Sequence, residues 1–196
     1  MKYIRKLPGI LSHEECDNLR QIHTEYTKGG GFSPYKDLVF WRDKKMNPFI
    51  ADKADDLDKV FKEEVNSYME EMSFSKLSYK HTHLAGISIT RQPDGHSERL
   101  HSDIELVRNK EGIRRRPFVF IIYLNKEYSG GQLCFPAQQE IITPEKGMGL
   151  FFPASYMFTH QILTLSGSDR YYLRMNYMFN PDCDEEDQDE YIMGES

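Results

Sequence analysis

The 196-residue chain contains no long apolar run, and no stretch approaches the roughly twenty residues that a membrane-spanning helix needs. Its opening, Met1-Lys2-Tyr3-Ile4-Arg5-Lys6, lacks the apolar core of a secretion signal, so a cytoplasmic location is expected. Cysteine is scarce. Cys16, Cys134 and Cys183 lie far apart, which excludes a zinc-type spacing or a disulfide framework and fits a reducing compartment. There is one tryptophan and no internal repeat. Positive charge is outnumbered, with 25 Lys and Arg against 31 Asp and Glu, a net charge of −6. That balance argues against a general nucleic-acid binder. The one strong basic run, Arg114-Arg115-Arg116, reads as a solvated loop before a strand at Pro117. Its functional alternative is an edge that attracts an acidic peptide or a phosphate backbone. Many of the acids fall in residues 182–196, an acidic tail expected to be poorly ordered.

Aromatics, by contrast, are plentiful, with twelve Tyr and twelve Phe, as in strand-rich chains. Residues 1–11 read as a short strand ending at Pro8-Gly9. Ser12 with Glu15 forms a capping-box signature, preceded by Leu11 as a staple onto Cys16. Cys16, Leu19, Ile22 and Tyr26 then mark one helical stripe, ended by Gly29-Gly30-Gly31. Residues 32–50 are aromatic and irregular and read as a loop tucked onto the core. Its functional alternative is a substrate-facing rim with Trp41 and Arg42 as contacts. Ala51, Ala54, Leu57, Phe61, Val65, Tyr68 and Met72 mark a second amphipathic helix. Strands are expected near 76–83, 85–92, 99–104, 117–124, 131–135, 139–143, 147–152, 158–165 and 170–179, separated by Gly, Pro and Ser turns. Two helices followed by short strands predict a mainly β fold with flanking α-helices, a double-stranded β-helix or jelly-roll barrel. The expected organisation is a single domain over 1–181. Within it, 1–75 supplies a strand and supporting helices, and 76–179 the barrel.

The chemistry centres on His101-Ser102-Asp103. In a strand, residues i and i+2 share a face, so His101 and Asp103 can offer an imidazole nitrogen and a carboxylate oxygen to one point. A second histidine from another strand completes a two-His, one-carboxylate facial triad. That set leaves adjacent positions open and suits non-haem Fe(II). His160 is the candidate second histidine. Arg170 follows ten residues later, after the turn Ser166-Gly167-Ser168-Asp169, which is expected to return the chain as the adjacent strand. A guanidinium there can hold a carboxylate through two parallel hydrogen bonds. If Arg170 points inward, so do Tyr172, Arg174 and Asn176. Two alternative ligand sets exist, although the i+2 spacing favours Asp103 over Glu105. His81-Thr82-His83 also presents two imidazoles on one strand face, as in a cupin metal site, and Glu105 shares a face with His101 and Asp103. His96 is expected in a loop over the pocket mouth.

The ordered motifs resemble those of the Fe(II)/2-oxoglutarate-dependent dioxygenases, in particular the prolyl 4-hydroxylase-like branch. The similarity runs from about residue 7 to 179. It is carried by Leu7-Pro8-Gly9-Ile10-Leu11-Ser12 with Glu15-Cys16, by His101-Ser102-Asp103, and by Tyr123-Leu124-Asn125 with Gly130-Gly131-Gln132-Leu133 and Phe135-Pro136. Pro144-Glu145-Lys146-Gly147, Leu150-Phe151-Phe152, His160, Gly167 and Arg170 complete it. The resemblance implies that His101, Asp103 and His160 ligate Fe(II), and that Arg170 and the Tyr123 hydroxyl bind the distal carboxylate of 2-oxoglutarate. It implies O2 as oxidant and ascorbate as the agent that keeps the iron reduced. Arg91 stands where this branch often has a tyrosine that helps hold the co-substrate, and Arg170 where many prolyl hydroxylases have lysine. The implied reaction is decarboxylation of 2-oxoglutarate to succinate, coupled to hydroxylation of a peptidyl proline. A free amino acid, another protein side chain or a small metabolite is the alternative substrate. Arg91, Trp41 and Arg174 are the candidate substrate contacts. From a different class, a non-catalytic metal- and oxoglutarate-binding protein or a cupin-type protein stands as the competing reading.

Overall fold

The structure is a computed structural model. It describes residues 3–28, 36–41, 47–71, 82–104, 106–109, 112–115 and 118–179. Strand β1 (Arg5–Leu7) leads into helix α1 (His13–Thr27), then β2 (Lys36–Trp41) and helix α2 (Pro48–Glu71). The remaining strands are β3 (Thr82–Gln92), β4 (Glu98–His101), β5 (Leu106–Asn109), β6 (Gly112–Arg115), β7 (Phe118–Tyr123), β8 (Ser129–Gly130) and β9 (Leu133–Phe135). They continue with β10 (Glu140–Ile142), β11 (Gly149–Pro153), β12 (His160–Ile162), β13 (Leu165–Ser166) and β14 (Arg170–Phe179). A six-stranded sheet has the order β1-β11-β7-β14-β3-β2, and a four-stranded sheet the order β10-β9-β12-β4. This is the jelly roll expected from the turn spacing.

The central strands explain why the barrel forms. Strand β7 reads Phe-Val-Phe-Ile-Ile-Tyr because both its faces are covered. Phe120 and Ile122 join the core packed beneath the helices, while Val119, Ile121 and Tyr123 join the core between the sheets. Strand β14 divides differently. Leu173, Met175 and Tyr177 pack toward the helices, while Arg170, Tyr172 and Arg174 line a cavity on the opposite face. Phe61 of α2 joins helix to sheet, stacking on Tyr177 with ring centroids 3.4 Å apart. Nearby, the Tyr177 hydroxyl donates to buried Asp58 at 2.8 Å.

Helix α1 begins as its sequence dictates. Glu15 N donates to Ser12 Oγ at 3.2 Å, and Ser12 N donates to Glu15 Oε2 at 2.8 Å. Its buried stripe is Cys16, Leu19 and His23, whereas Tyr26 is exposed. The i, i+3, i+7 pattern puts the inward position at 23, not 26.

Other expectations need correction. Residues 36–41 are an edge strand paired with β3, not irregular loop. Their short apolar run, Leu38 to Trp41, has strand length but no clean alternation. The expected strand break near 84 does not occur, and β3 runs unbroken from Thr82 to Gln92. Residues 106–109 and 112–115 form a hairpin, so Arg114 and Arg115 lie in a strand rather than a loop. Strand β12 belongs to the four-stranded sheet and β14 to the six-stranded one, so the turn before Arg170 changes sheets instead of returning an adjacent strand. Residues 76–81 and the acidic tail lie outside the described residues. Among the described residues, no helix is long and apolar enough to cross a membrane.

The cap also sets a pH dependence. Lys53 Nζ, 2.6 Å from Glu15 Oε1, and the Ser12 backbone hold the Glu15 carboxyl below its usual range. A depressed carboxyl favours the folded state above its unfolded pKa and loses that advantage as pH falls. Urea unfolding of wild type and Glu15→Gln should show a stability gap at neutral pH that closes as pH drops through the carboxylate range.

Candidate active site

One cavity lies between the two sheets. Val119, Ile121, Leu133, Phe152 and Ile162 give it an apolar wall. Its polar groups are Glu98, His101, Asp103, Tyr123, His160, Arg170, Tyr172 and Arg174.

His101 ends β4 opposite His160 on β12. One ligand atom from each of His101, Asp103 and His160 lies within 4.8 Å of the others. Asp103 Oδ1 is 3.9 Å from His101 Nε2, and Asp103 Oδ2 is 3.6 Å from His160 Nε2. Asp103 sits beyond the end of β4, so loop backbone and not strand alternation brings it to His101. Both imidazoles are held alike. Each Nδ1 faces the carbonyl two residues back, Arg99 O at 2.8 Å and Phe158 O at 3.2 Å. A carbonyl only accepts, so Nδ1 carries the proton and each Nε2 turns its lone pair toward Asp103. His160 is buried against Phe135 and Phe152, and burial pulls its pKa down, with Asp103 opposing. The neutral ring favoured there is the form that binds metal.

Arg170 is 1% exposed. Its Nε and Nη2 donate to Gln92 Oε1, the first at 2.7 Å, and its Nη1 donates to Gly131 O at 2.8 Å. Among the described residues no carboxylate pairs with it. Asn125 fixes the backbone on both sides. Its Nδ2 donates to Asp169 O at 2.9 Å, and Tyr171 N donates to its Oδ1 at 2.7 Å. Gly130 and Gly131 are required here. Both have positive φ, and a Cβ on Gly130 would lie 1.9 Å from Thr164 O. One on Gly131 would lie 2.5 Å from Leu165 Cδ2 and 3.4 Å from Arg170 Nη1. Among the described residues the buried Tyr123 hydroxyl has no hydrogen-bond partner, and the Arg170 guanidinium lies 5.9 Å from its ring centre. Burial pushes its pKa well up, so the phenol stays a donor.

The cavity thus brings together six sequence candidates, His101, Asp103, His160, Tyr123, Arg170 and Arg174. Arg91 is not among the lining residues. Its Nε and Nη2 each lie 2.6 Å from Asp169 Oδ2, on the face of β3 that turns away from the cavity. Trp41 stands on β2 opposite Gly86, with its side chain outside the described residues. His81, Glu105 and the His83 side chain also lie outside them. His96 bonds Glu98 Oε1 through Nε2 at 2.9 Å and does not line the cavity.

Sequence reasoning missed Gln92 and Glu98. Ser88, Thr90 and Gln92 are buried polar residues on alternate positions of β3, a pattern that marks an inward polar face. Glu98 gives no such signal. Its register partner is Ile162, while that of His101 is His160. The resulting bulge lets residues three apart on β4 face the same cavity.

A model of the 2OG-Fe(II) oxygenase superfamily matches residues 87–178, which include every one of these cavity residues. No curated protein matches the chain in sequence. A collagen prolyl hydroxylase of Paramecium bursaria Chlorella virus-1, solved with 2-oxoglutarate, superposes with a TM-score of 0.70 at 21% identity, over 91% of this chain and 96% of that one. A prolyl-4-hydroxylase of Pseudomonas putida gives 0.59 at 17%, over 91% and 92%. HygX of Streptomyces hygroscopicus, with nickel and 2-oxoglutarate bound, gives 0.61 at 13%, over 92% and 83%. At these identities the likeness is one of fold.

The superfamily implies Fe(II) and 2-oxoglutarate, and the residues fit both. Two imidazoles and a carboxylate are a donor set for non-haem iron. A buried cation without a carboxylate, beside a buried hydroxyl without a partner, is the environment of an anion site. Asn125→Ala should weaken 2-oxoglutarate binding by about tenfold while metal content is retained, because it loosens the backbone around Arg170. Calorimetric titration of the metal-loaded protein measures this.

Proposed function

We propose that the chain is a 2-oxoglutarate-dependent hydroxylase, with residues 1–181 acting as one domain. The observation that carries this reading is the pairing, in one cavity, of the His101-Asp103-His160 group with buried Arg170 and the unpartnered Tyr123 hydroxyl. His101, Asp103 and His160 would hold Fe(II). Arg170 and Tyr123 would hold the distal carboxylate of 2-oxoglutarate. Bound there, the metal and co-substrate supply oxidative decarboxylation by O2, yielding succinate and CO2 and the oxidising power for C–H hydroxylation.

The protein's own residues bind, orient and exclude. The carbonyls of Arg99 and Phe158 fix the imidazole tautomers. The wall of Val119, Ile121, Leu133, Phe152 and Ile162 keeps water from the reacting centre. Asn125, Gly131 and Gln92 hold the guanidinium in place.

The substrate we infer is a peptidyl proline, which the motif resemblance supports and to which the two prolyl hydroxylases of like fold add weight. Ascorbate would sustain the reduced metal. A second reading is hydroxylation of a free amino acid or small metabolite in the same cavity. Mass spectrometry of peptides and metabolites separates the two by which class gains the mass of one oxygen atom in an oxoglutarate-dependent manner.

The test of the reaction is co-substrate turnover. Purified protein with Fe(II), O2, ascorbate and 2-oxoglutarate should release succinate. His101→Ala and His160→Ala should abolish release and metal retention, while His83→Ala keeps both. Loss of metal in His83→Ala with retention in His160→Ala contradicts the assignment. Arg170→Ala should keep its metal and bind 2-oxoglutarate about tenfold to a hundredfold more weakly. Unchanged affinity would move the anion site elsewhere.

A further inference from the structure

We propose that Gln92 is a positioning residue that determines co-substrate affinity: its amide holds Arg170 in place without neutralising it, leaving the positive charge for the incoming carboxylate. The proposal rests on the reading of Arg170 given above.

Every described hydrogen-bond partner of the Arg170 side chain is neutral. Gln92 Oε1 accepts from both Nε and Nη2, and Gly131 O accepts from Nη1. An amide oxygen satisfies two donors of a buried guanidinium while the cation keeps its full charge. A carboxylate in the same place would form an ion pair and remove the attraction that an entering anion needs.

The amide is held in one orientation. Gln92 is 3% exposed, and its Nε2 donates to Glu98 Oε1 at 2.7 Å. Turning the amide over would set its N–H groups against those of Arg170 and its oxygen against a carboxylate. The His96 Nε2 at 2.9 Å from the same Glu98 oxygen holds that carboxylate from the other side. The second Glu98 oxygen lies 3.3 Å from His101 Nε2. A hydrogen-bonded series, Arg170–Gln92–Glu98–His96, therefore leaves the second Glu98 oxygen beside His101 Nε2. The negative charge nearest to Arg170 along this series stands one amide away.

A purely structural role and a charge-sparing role predict opposite rankings of two variants. Gln92→Glu, made together with Glu98→Gln so that the new carboxylate meets an amide donor and not a second carboxylate, keeps an acceptor on Arg170, so a structural role makes it the milder change. Gln92→Met is close in size but loses the acceptor. Calorimetric titration of 2-oxoglutarate into Mn(II)-loaded protein, with metal content measured separately, should give about a tenfold loss for Gln92→Met. The loss for the double variant should be about a hundredfold or more, with metal retained in both. A double-variant affinity equal to or better than that of Gln92→Met overturns the proposal. Glu98→Gln, at the more exposed end of the series, keeps the test decisive if a buried replacement fails to fold. It should weaken binding several-fold, and unchanged affinity counts against the series. Failure of the wild-type protein to bind 2-oxoglutarate would instead remove the functional reading, and this proposal with it.

Discussion

A guanidinium buried without a carboxylate is the constraint around which the site is built. Burying a cation is expensive unless its donors are satisfied and its charge is answered. Here three of its five N–H donors are bonded, to Gln92 and Gly131, while the charge is left unanswered among the described residues. Much of the neighbouring sequence follows from that. Asn125 bonds the backbone on both sides of Arg170. Gly130 and Gly131 let a carbonyl approach where a side chain would collide with Thr164 and Leu165. The Tyr123 hydroxyl stays in the same cavity without a partner. On the proposed reading, such an arrangement is unfavourable in an empty protein and favourable once an anion arrives, so stability there is traded for affinity.

The metal group is organised on a different principle. Its two imidazoles face each other across β4 and β12, with ring centres 4.5 Å apart, and Asp103 comes from beyond the strand end. Backbone carbonyls fix both tautomers, so no further side chain is needed to aim the Nε2 atoms. The irregular register of β4 against β12 turns Glu98 into the same cavity, where it accepts from Gln92.

Much of this was legible in the sequence, for identifiable reasons. The jelly roll could be read because turns punctuate the strands. Strand β14 matches its expected limits, 170–179, because one apolar face alternates with one polar face over ten residues. His101, Asp103, His160, Tyr123 and Arg170 could be found because motif order places them. Strand β2 was hidden because six residues flanked by irregular sequence look alike as loop or strand. Gln92 was missed although Ser88, Thr90 and Gln92 alternate as polar residues along β3, and Glu98 because it reaches the cavity only through a bulge. Arg91, a candidate substrate contact, pairs with Asp169 outside the cavity, because β3 alternation assigns the inward position to Gln92.

The central claim is that one cavity holds a metal and an anion at fixed, separate groups. The most direct measurement is an anaerobic crystal structure of the protein with Mn(II) and 2-oxoglutarate. The account predicts the ion on His101, Asp103 and His160, and a carboxylate of the ligand on Arg170 and Tyr123, with Gln92 still bonded to Arg170. An ion at His81 and His83, or a ligand carboxylate bound away from Arg170, would contradict it.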